Sequence, residues 1–279
     1  MRIMTATLGA MALFASVLGA QAQAIELASA SGLKSFQTAD DARGWDAVGR
    51  VNLGERGFCT GALIAPDLVL TAGHCLFDKH TGRRYAPSEI TFLAGWRDGR
   101  AEAYRGARRA MTHPAYDPLS NAMHDIGRDI ALIELDHPIR NGRIQPFPVY
   151  AGPADGDAVG IVSYARERAD RPTLQEVCHI KGHQDGALIM SCAVDFGASG
   201  APVFAMTDDG PRIVSVVSAM AEVQSEKVSI GTALGGALDE LTRLMAASDG
   251  VFHRAEPQVK TLNPDDARKA GTAKFLRPG

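Results

Sequence analysis

Phe58 to Cys75 reads FCTGALIAPDLVLTAGHC: a short apolar run at 58–64, a turn at Ala65-Pro66-Asp67, and a second apolar run at 68–72. Two such runs around a Pro-Asp turn spell a β-hairpin. The same grammar continues outward. Ile90–Ala94, Ile130–Leu135, Val159–Tyr164, Ala187–Cys192, Pro202–Ala205, Ile213–Ala219 and Lys227–Leu234 are further short strands, punctuated by Gly and Pro. Many short strands with frequent turns predict an all-β sandwich or barrel. The run 139–158, with three prolines and three glycines, divides the strands into two halves. One helix is expected over 237–247, where Leu238, Leu241, Leu244 and Met245 share a face. Beyond Ser248 the chain turns polar and aperiodic, which reads as an appended tail.

The whole chain has 279 residues, 46% of them apolar and 22% charged. That is a globular composition with ample core. Twenty-nine Lys and Arg against 32 Asp and Glu leave a net charge of −3. No basic field exists to attract phosphate backbones or anionic lipid, so nucleic-acid binding is a poor reading. Arg105 with Arg108-Arg109, and the mixed run Arg166 to Arg171, read as solvated charge.

Arg2, the apolar run Met4 to Ala20 and the small residues Ala20-Gln21-Ala22 form the pattern of a secretory signal peptide over 1–22. Cleavage is expected after Ala22, with Ala24 a second candidate. The run is short for a bilayer span, so the expected location is secreted or periplasmic, with no membrane association after signal removal. Export makes the four cysteines legible as disulfides. Four cysteines allow three connectivities; the economical one is local, Cys59–Cys75 and Cys178–Cys192. A metal site of Cys178, His179, His183 and Cys192 is the alternative. It is disfavoured because no C-x-x-C spacing is present and Gly182 argues against a helix presenting both histidines.

Three places carry chemistry. Thr71-Ala72-Gly73-His74-Cys75 ends a strand in a small-residue turn beside a cysteine, which would hold an imidazole fixed as a general base requires. Asp129 opens the apolar strand Ile130–Leu135, where a buried carboxylate can fix the histidine tautomer. Gly197-Ala198-Ser199-Gly200 sets a serine between glycines, which let backbone N–H groups converge on one point. Asp125, in His124-Asp125-Ile126, is the rival acid; Asp129 is preferred because a sustained strand follows it.

Together these residues resemble the trypsin-like (chymotrypsin-fold) serine peptidases. Cys59-Thr60-Gly61-Ala62-Leu63-Ile64 with Leu70 to Cys75, His113-Pro114-Ala115-Tyr116, Asp129 to Leu135, and Val214 to Ala219 all resemble segments of that family, over roughly residues 45 to 245. The order His, Asp, Ser excludes an α/β-hydrolase, which runs Ser, acid, His on G-x-S-x-G; here residue 201 is Ala. The resemblance is nearest to compact bacterial secreted or periplasmic members related to glutamyl endopeptidases. It implies two antiparallel six-stranded β-barrels with the active site in the cleft between them and a C-terminal helix. The expected divisions are a signal peptide (1–22), an N-terminal extension or propeptide (23–44), a first barrel (45–145), a second barrel (146–235), and a helix and tail (236–279).

The implied activity is that of a serine endopeptidase acting on protein or peptide substrates, without metal or organic cofactor. Ser199 would be the nucleophile, His74 the base and Asp129 its orienting acid. The backbone N–H groups of Gly197 and Ser199 would form the oxyanion hole. Ser218, Ala219, Met220 and Ala193 would line the substrate pocket. A catalytically silent binding or scaffold protein on the same fold is the alternative, and any protein inhibitor is unidentified. Two departures stand out. The residue before the nucleophile is Ala198, where well-known members carry an Asp that pairs with a new N-terminus, so no such activation switch is expected. Ala193 offers no pocket acid and Val217 is not the histidine of glutamyl specificity, which predicts weak preference for small or apolar residues.

Overall fold

The computed structural model describes residues 32–248 apart from Arg56, Asn121, Gln224 and Ser225. The expected signal peptide and the segment 249–279 lie outside the described residues. The hairpin that opens the sequence reading is β3 (Gly57–Ala65) and β4 (Leu68–Thr71). With β2 (Val48–Leu53), β5 (Ile90–Ala94), β6 (Ala103–Thr112) and β7 (Ala131–Leu135) they form a closed antiparallel barrel in the order β2-β3-β4-β7-β6-β5. β7 (ALIEL) is buried at all five positions, its one charged residue, Glu134, pairing with Arg108 and Arg109 of β6.

The second sheet holds β8 (Ala158–Ala165), β9 (Arg168–Gln184), β10 (Ala187–Met190), β11 (Pro202–Thr207), β12 (Gly210–Val223) and β13 (Glu226–Ala233). Its order is β9-β10-β13-β12-β11-β8, and β8 pairs back onto β9, so these six strands also return on themselves. The seventh strand of this sheet is β1 (Leu33–Ser35), which pairs with β9 through Leu33↔Gln175 and Ser35↔Thr173. Phe36 follows it into the core and stacks toward Trp45, with ring centroids 6.3 Å apart. Part of the segment expected as an extension is therefore woven into the second sheet. Trp45 in turn meets Phe204 at 5.0 Å, and Phe204 meets Phe147 at 4.7 Å. This aromatic cluster joins residues of both halves into one core.

A one-turn helix α1 (Met123–Ile126) precedes β7, and α2 (Gly236–Ala247) follows β13. In α2, Leu238, Leu241 and Met245 are buried, but Leu244 is 39% exposed. The apolar stripe is narrower than its four-residue reading, because positions 238, 241 and 245 alone complete a face at helical spacing.

Candidate active site

Strand register builds the first half of the site. β4 and β7 pair down to Thr71↔Ala131, so the segments leaving those strand ends, His74 on one and Asp129 on the other, emerge side by side. His74 sits in a tight 3₁₀ turn, Gly73–Leu76. The Cys59–Cys75 disulfide ties that turn to β3. The His74 backbone N–H donates to Asp129 Oδ1 at 2.7 Å, and its ring Nδ1 lies 2.6 Å from Asp129 Oδ2. With a carboxylate at Nδ1, the neutral ring carries its proton there and leaves Nε2 as the basic nitrogen. Burial pulls the His74 pKa down. The charge of Asp129 and its hydrogen bond more than offset this, so the pKa stands above its ordinary 6.5.

The Asp129 side chain is 4% exposed and is gripped from the second sheet. The Ser218 hydroxyl hydrogen-bonds Asp129 Oδ2. Ser218 can do so because β12 bulges against β13 between Val217 and Ala219, and a bulge re-aims the side chain it frees. The Thr232 hydroxyl reaches the Ile126 and Asp129 carbonyls at 2.7 and 3.0 Å. Tyr116 packs on the other side. Burial and the nearby Asp129 carboxylate, through charge and a hydrogen bond, push its phenol well above the ordinary range. Asp125 is buried too, but its carboxylate lies 3.0 Å from His124 Nε2.

The second half is the turn Asp195–Ala201. Gly197 and Gly200 both have positive φ, +101° and +75°. A Cβ on Gly197 would stand 2.9 Å from the Arg166 nitrogen, and one on Gly200 would stand 2.1 Å from Thr71 Oγ1. Glycine is required at both for the backbone to approach this closely. Peptide by peptide, Phe196 N–H donates to Asp195 Oδ1, Ala198 N–H to the Asp195 carbonyl, Gly200 N–H to the Val217 carbonyl and Ala201 N–H to the Ala198 carbonyl. The N–H groups of Gly197 and Ser199 meet no acceptor among the described residues. The Phe196 carbonyl accepts from Arg166 N–H at 2.7 Å. In a planar trans peptide the Gly197 N–H must then point the opposite way.

Both halves face an open cleft of about 770 Å³ lined by His74, Ser199, Gly197, Phe58, Phe196 and Arg166. The Arg166 guanidinium lies over the Phe196 ring at 5.5 Å. Ala193, just before the Asp195–Ala201 turn, lies against the Gln175 side-chain amide, which in the orientation that satisfies both groups donates to its carbonyl at 2.7 Å and accepts from its N–H at 3.3 Å. Sequence reasoning missed Gln175, Thr60 and Thr232, since single polar residues inside strands carry no local signal. Met220 is 45% exposed beside Ser218. The donor atoms of Cys59, His74 and Cys75 gather within 4.8 Å, but both sulfurs are bonded to each other. Cys178 and Cys192 are likewise joined, and His183 pairs with Asp155 at 2.6 Å. The metal-site alternative is left without thiolates.

A family model for trypsin matches residues 36–233. The chain belongs to the trypsin family. Human mannan-binding lectin serine protease 1 is 29% identical over 119 residues, and human serine protease 56 is 30% identical over 141. Those stretches are 38% and 48% of this chain but only 16% and 21% of the two relatives. Among solved structures, a Glu endopeptidase superimposes with a TM-score of 0.64 at 18% identity, over 78% of this chain and 97% of its own. The thermostable serine protease AL20 from an extremophilic microorganism gives 0.58 at 17% identity, over 73% and 98%. At that identity the likeness is one of fold. It agrees with the trypsin-type β architecture and C-terminal helix described above.

Proposed function

We propose that this trypsin-family chain is an exported serine endopeptidase acting through Ser199, His74 and Asp129. The observation that carries the reading is the pattern of backbone donors. Around Ser199, the amides of Phe196, Ala198, Gly200 and Ala201 have acceptors, and those of Gly197 and Ser199 have none among the described residues. Buried or half-buried N–H groups are ordinarily paired, so two unpaired donors on the rim of a cleft beside an imidazole suit an oxyanion that forms only during reaction.

In the proposed cycle, Ser199 Oγ attacks the scissile carbonyl carbon while its proton passes to His74 Nε2. The carbonyl oxygen takes the negative charge and is received by the Gly197 and Ser199 N–H groups. Collapse expels the amine, which takes the proton from His74, and leaves an acyl-Ser199 ester. Water, deprotonated by the same Nε2, then attacks that ester, and collapse releases the acid while His74 returns the proton to Ser199 Oγ. Asp129 holds the ring and stabilises the imidazolium.

The substrate pocket is proposed to favour small or apolar side chains, since Ala193 and Val217 bring no charge to it. Export rests on the signal-like start and agrees with two disulfides. Any processing is proposed to end before Leu33, because β1 pairs with the strand whose Gln175 holds Ala193. The test is covalent labelling of the signal-free protein with a fluorophosphonate probe, read by intact mass. One adduct on the wild type and none on Ser199→Ala or His74→Ala is expected. A folded, disulfide-bonded wild type that takes no adduct would overturn the reading in favour of a silent binding protein.

A further inference from the structure

Ala198, which precedes the proposed nucleophile, is buried and carries an inert methyl. Something else must hold the Gly197–Ser199 backbone in the shape just described. The residue that reaches it is Thr60, fully buried on β3 of the first barrel and next to the disulfide residue Cys59. Its backbone N–H donates to the Ser199 carbonyl at 2.8 Å. Its hydroxyl donates to the Gly197 carbonyl at 3.3 Å and accepts from the Tyr164 N–H at 3.0 Å. Its own carbonyl accepts the Thr71 hydroxyl at 2.8 Å. One residue thus grips two carbonyls of the nucleophile turn, and it is anchored to β4 and β8 while doing so.

We infer that the Thr60 hydroxyl is a positioning element that fixes the Gly197–Ala198 peptide and so holds the two oxyanion donors in register. The inference rests on the peptidase reading. The geometry is specific to a hydroxyl. A threonine Oγ has one proton to give and lone pairs to receive, and both capacities are used across the cleft, the proton on the Gly197 carbonyl and a lone pair on the Tyr164 N–H of β8. The Gly197 carbonyl belongs to the peptide immediately after the one bearing the Gly197 N–H, and the same Gly197–Ala198 peptide leads to the Ser199 N–H one residue on. With Arg166 fixing the Phe196 carbonyl on the far side, the Thr60 hydroxyl supplies the opposing hold. Without it the peptide between the two donors keeps only the Ala198 N–H bond to the Asp195 carbonyl.

Thr60→Val keeps the shape and the backbone contact to Ser199, and removes only the hydroxyl. Thr60→Ser keeps the hydroxyl. Each is compared with wild type for the rate and final extent of fluorophosphonate labelling, and for acylation by p-nitrophenyl acetate with rate and KM separated. The expected result is complete final labelling of Thr60→Val at a rate about 10- to 100-fold slower. That lies below the roughly 10²- to 10³-fold cost of deleting an oxyanion donor outright. KM should be little changed and Thr60→Ser should stay near wild type.

A merely structural role would lower the fraction labelled, or the melting temperature, with the rate on the folded fraction unchanged. That result, or a Thr60→Val rate equal to wild type, overturns the inference while the peptidase reading stands. A wild type that neither labels nor acylates sinks both. Should Thr60→Val not fold, Thr60→Ala is read by the same criteria.

Discussion

Replacing Asp129 with asparagine keeps the shape of the His74 partner and removes its charge, so it isolates what the carboxylate does. The two side chains touch at 2.6 Å. Charge centres roughly 4 Å apart at an effective dielectric constant near 20 interact by about 4 kcal/mol, or about 3 pH units on the His74 midpoint. The His74 side chain is 32% exposed, and solvent screening removes half of that or more. A fall of about 1 to 1.5 pH units is therefore expected. Burial, which pulls the imidazole down, is untouched by the substitution, so the variant should titrate clearly below the wild type. The assay is NMR titration of the His74 ring, assigned with His74→Gln. The acid limb of wild-type labelling should share the His74 midpoint, because only neutral His74 accepts the serine proton. The sign on stability is the reverse. A histidine pKa raised by folding adds stability that is complete below 6.5 and lost as pH rises through the native value. Wild type should therefore gain activity and shed this contribution over one pH window, and Asp129→Asn should show less of this loss. A wild-type His74 titrating below 6.5, or a variant within about 0.3 pH units of wild type, would refute the electrostatic account.

Two further outcomes follow from the fold. Val177 is a β-branched residue at φ +61° and 74% exposed. Val177→Asn, which tolerates this conformation, should stabilise by about 1 kcal/mol and raise Tm by about 2–4 °C; an unchanged or lower Tm in a thermal melt would contradict the strain. In α2, Leu241→Ala should cost about 2–5 kcal/mol in urea unfolding and Leu244→Ala under about 0.5, since Leu241 is fully buried and Leu244 is 39% exposed.

What could be read from the sequence was whatever repeats over neighbouring residues. β3, β4, β5 and β7 emerge from continuous apolar runs bounded by Gly, Pro or Asp, and each lies where the run predicts within one or two residues. β6 and β9 escape because their inward positions are interleaved with arginines and other polar residues. β6 reads AYRGARRAMT, and Arg108 and Arg109 both turn onto Glu134 of β7. That pairing is invisible without the strand register. β9 hides for a second reason: an extra residue opposite β8 between Val159 and Ile161 breaks the alternation of its faces. β1 is only three residues long, and β2, VGRVNL, breaks its apolar run with Gly49, Arg50 and Asn52. The candidate site residues His74, Asp129 and Ser199 could be singled out because each stands in a motif of adjacent residues. Thr60, Gln175 and Thr232 act across 137, 18 and 103 positions of sequence, a distance at which one chain carries no pattern.

Those long reaches follow a rule that no local motif contains. Each barrel holds the other's loop. From the second sheet, Ser218 grips the Asp129 carboxylate and Thr232 grips the Asp129 and Ile126 carbonyls. From the first barrel, Thr60 grips the Gly197 and Ser199 carbonyls, and Thr71 packs against Gly200 so closely that no Cβ fits. Other holds stay within one barrel: His74 on Asp129 and Cys59 on Cys75 in the first, and the Val217 carbonyl on Gly200 and the Arg166 N–H on Phe196 in the second. A loop gripped from its own barrel would keep its shape whatever the partner did, whereas a loop gripped from across the cleft takes its shape from the docking of the two. The aromatic cluster of Trp45, Phe147 and Phe204 packs residues of the two halves together and so contributes to that docking. On the proposed mechanism, whose geometry would have to hold to about half an ångström, substitutions in that cluster should disturb Ser199 and His74 together.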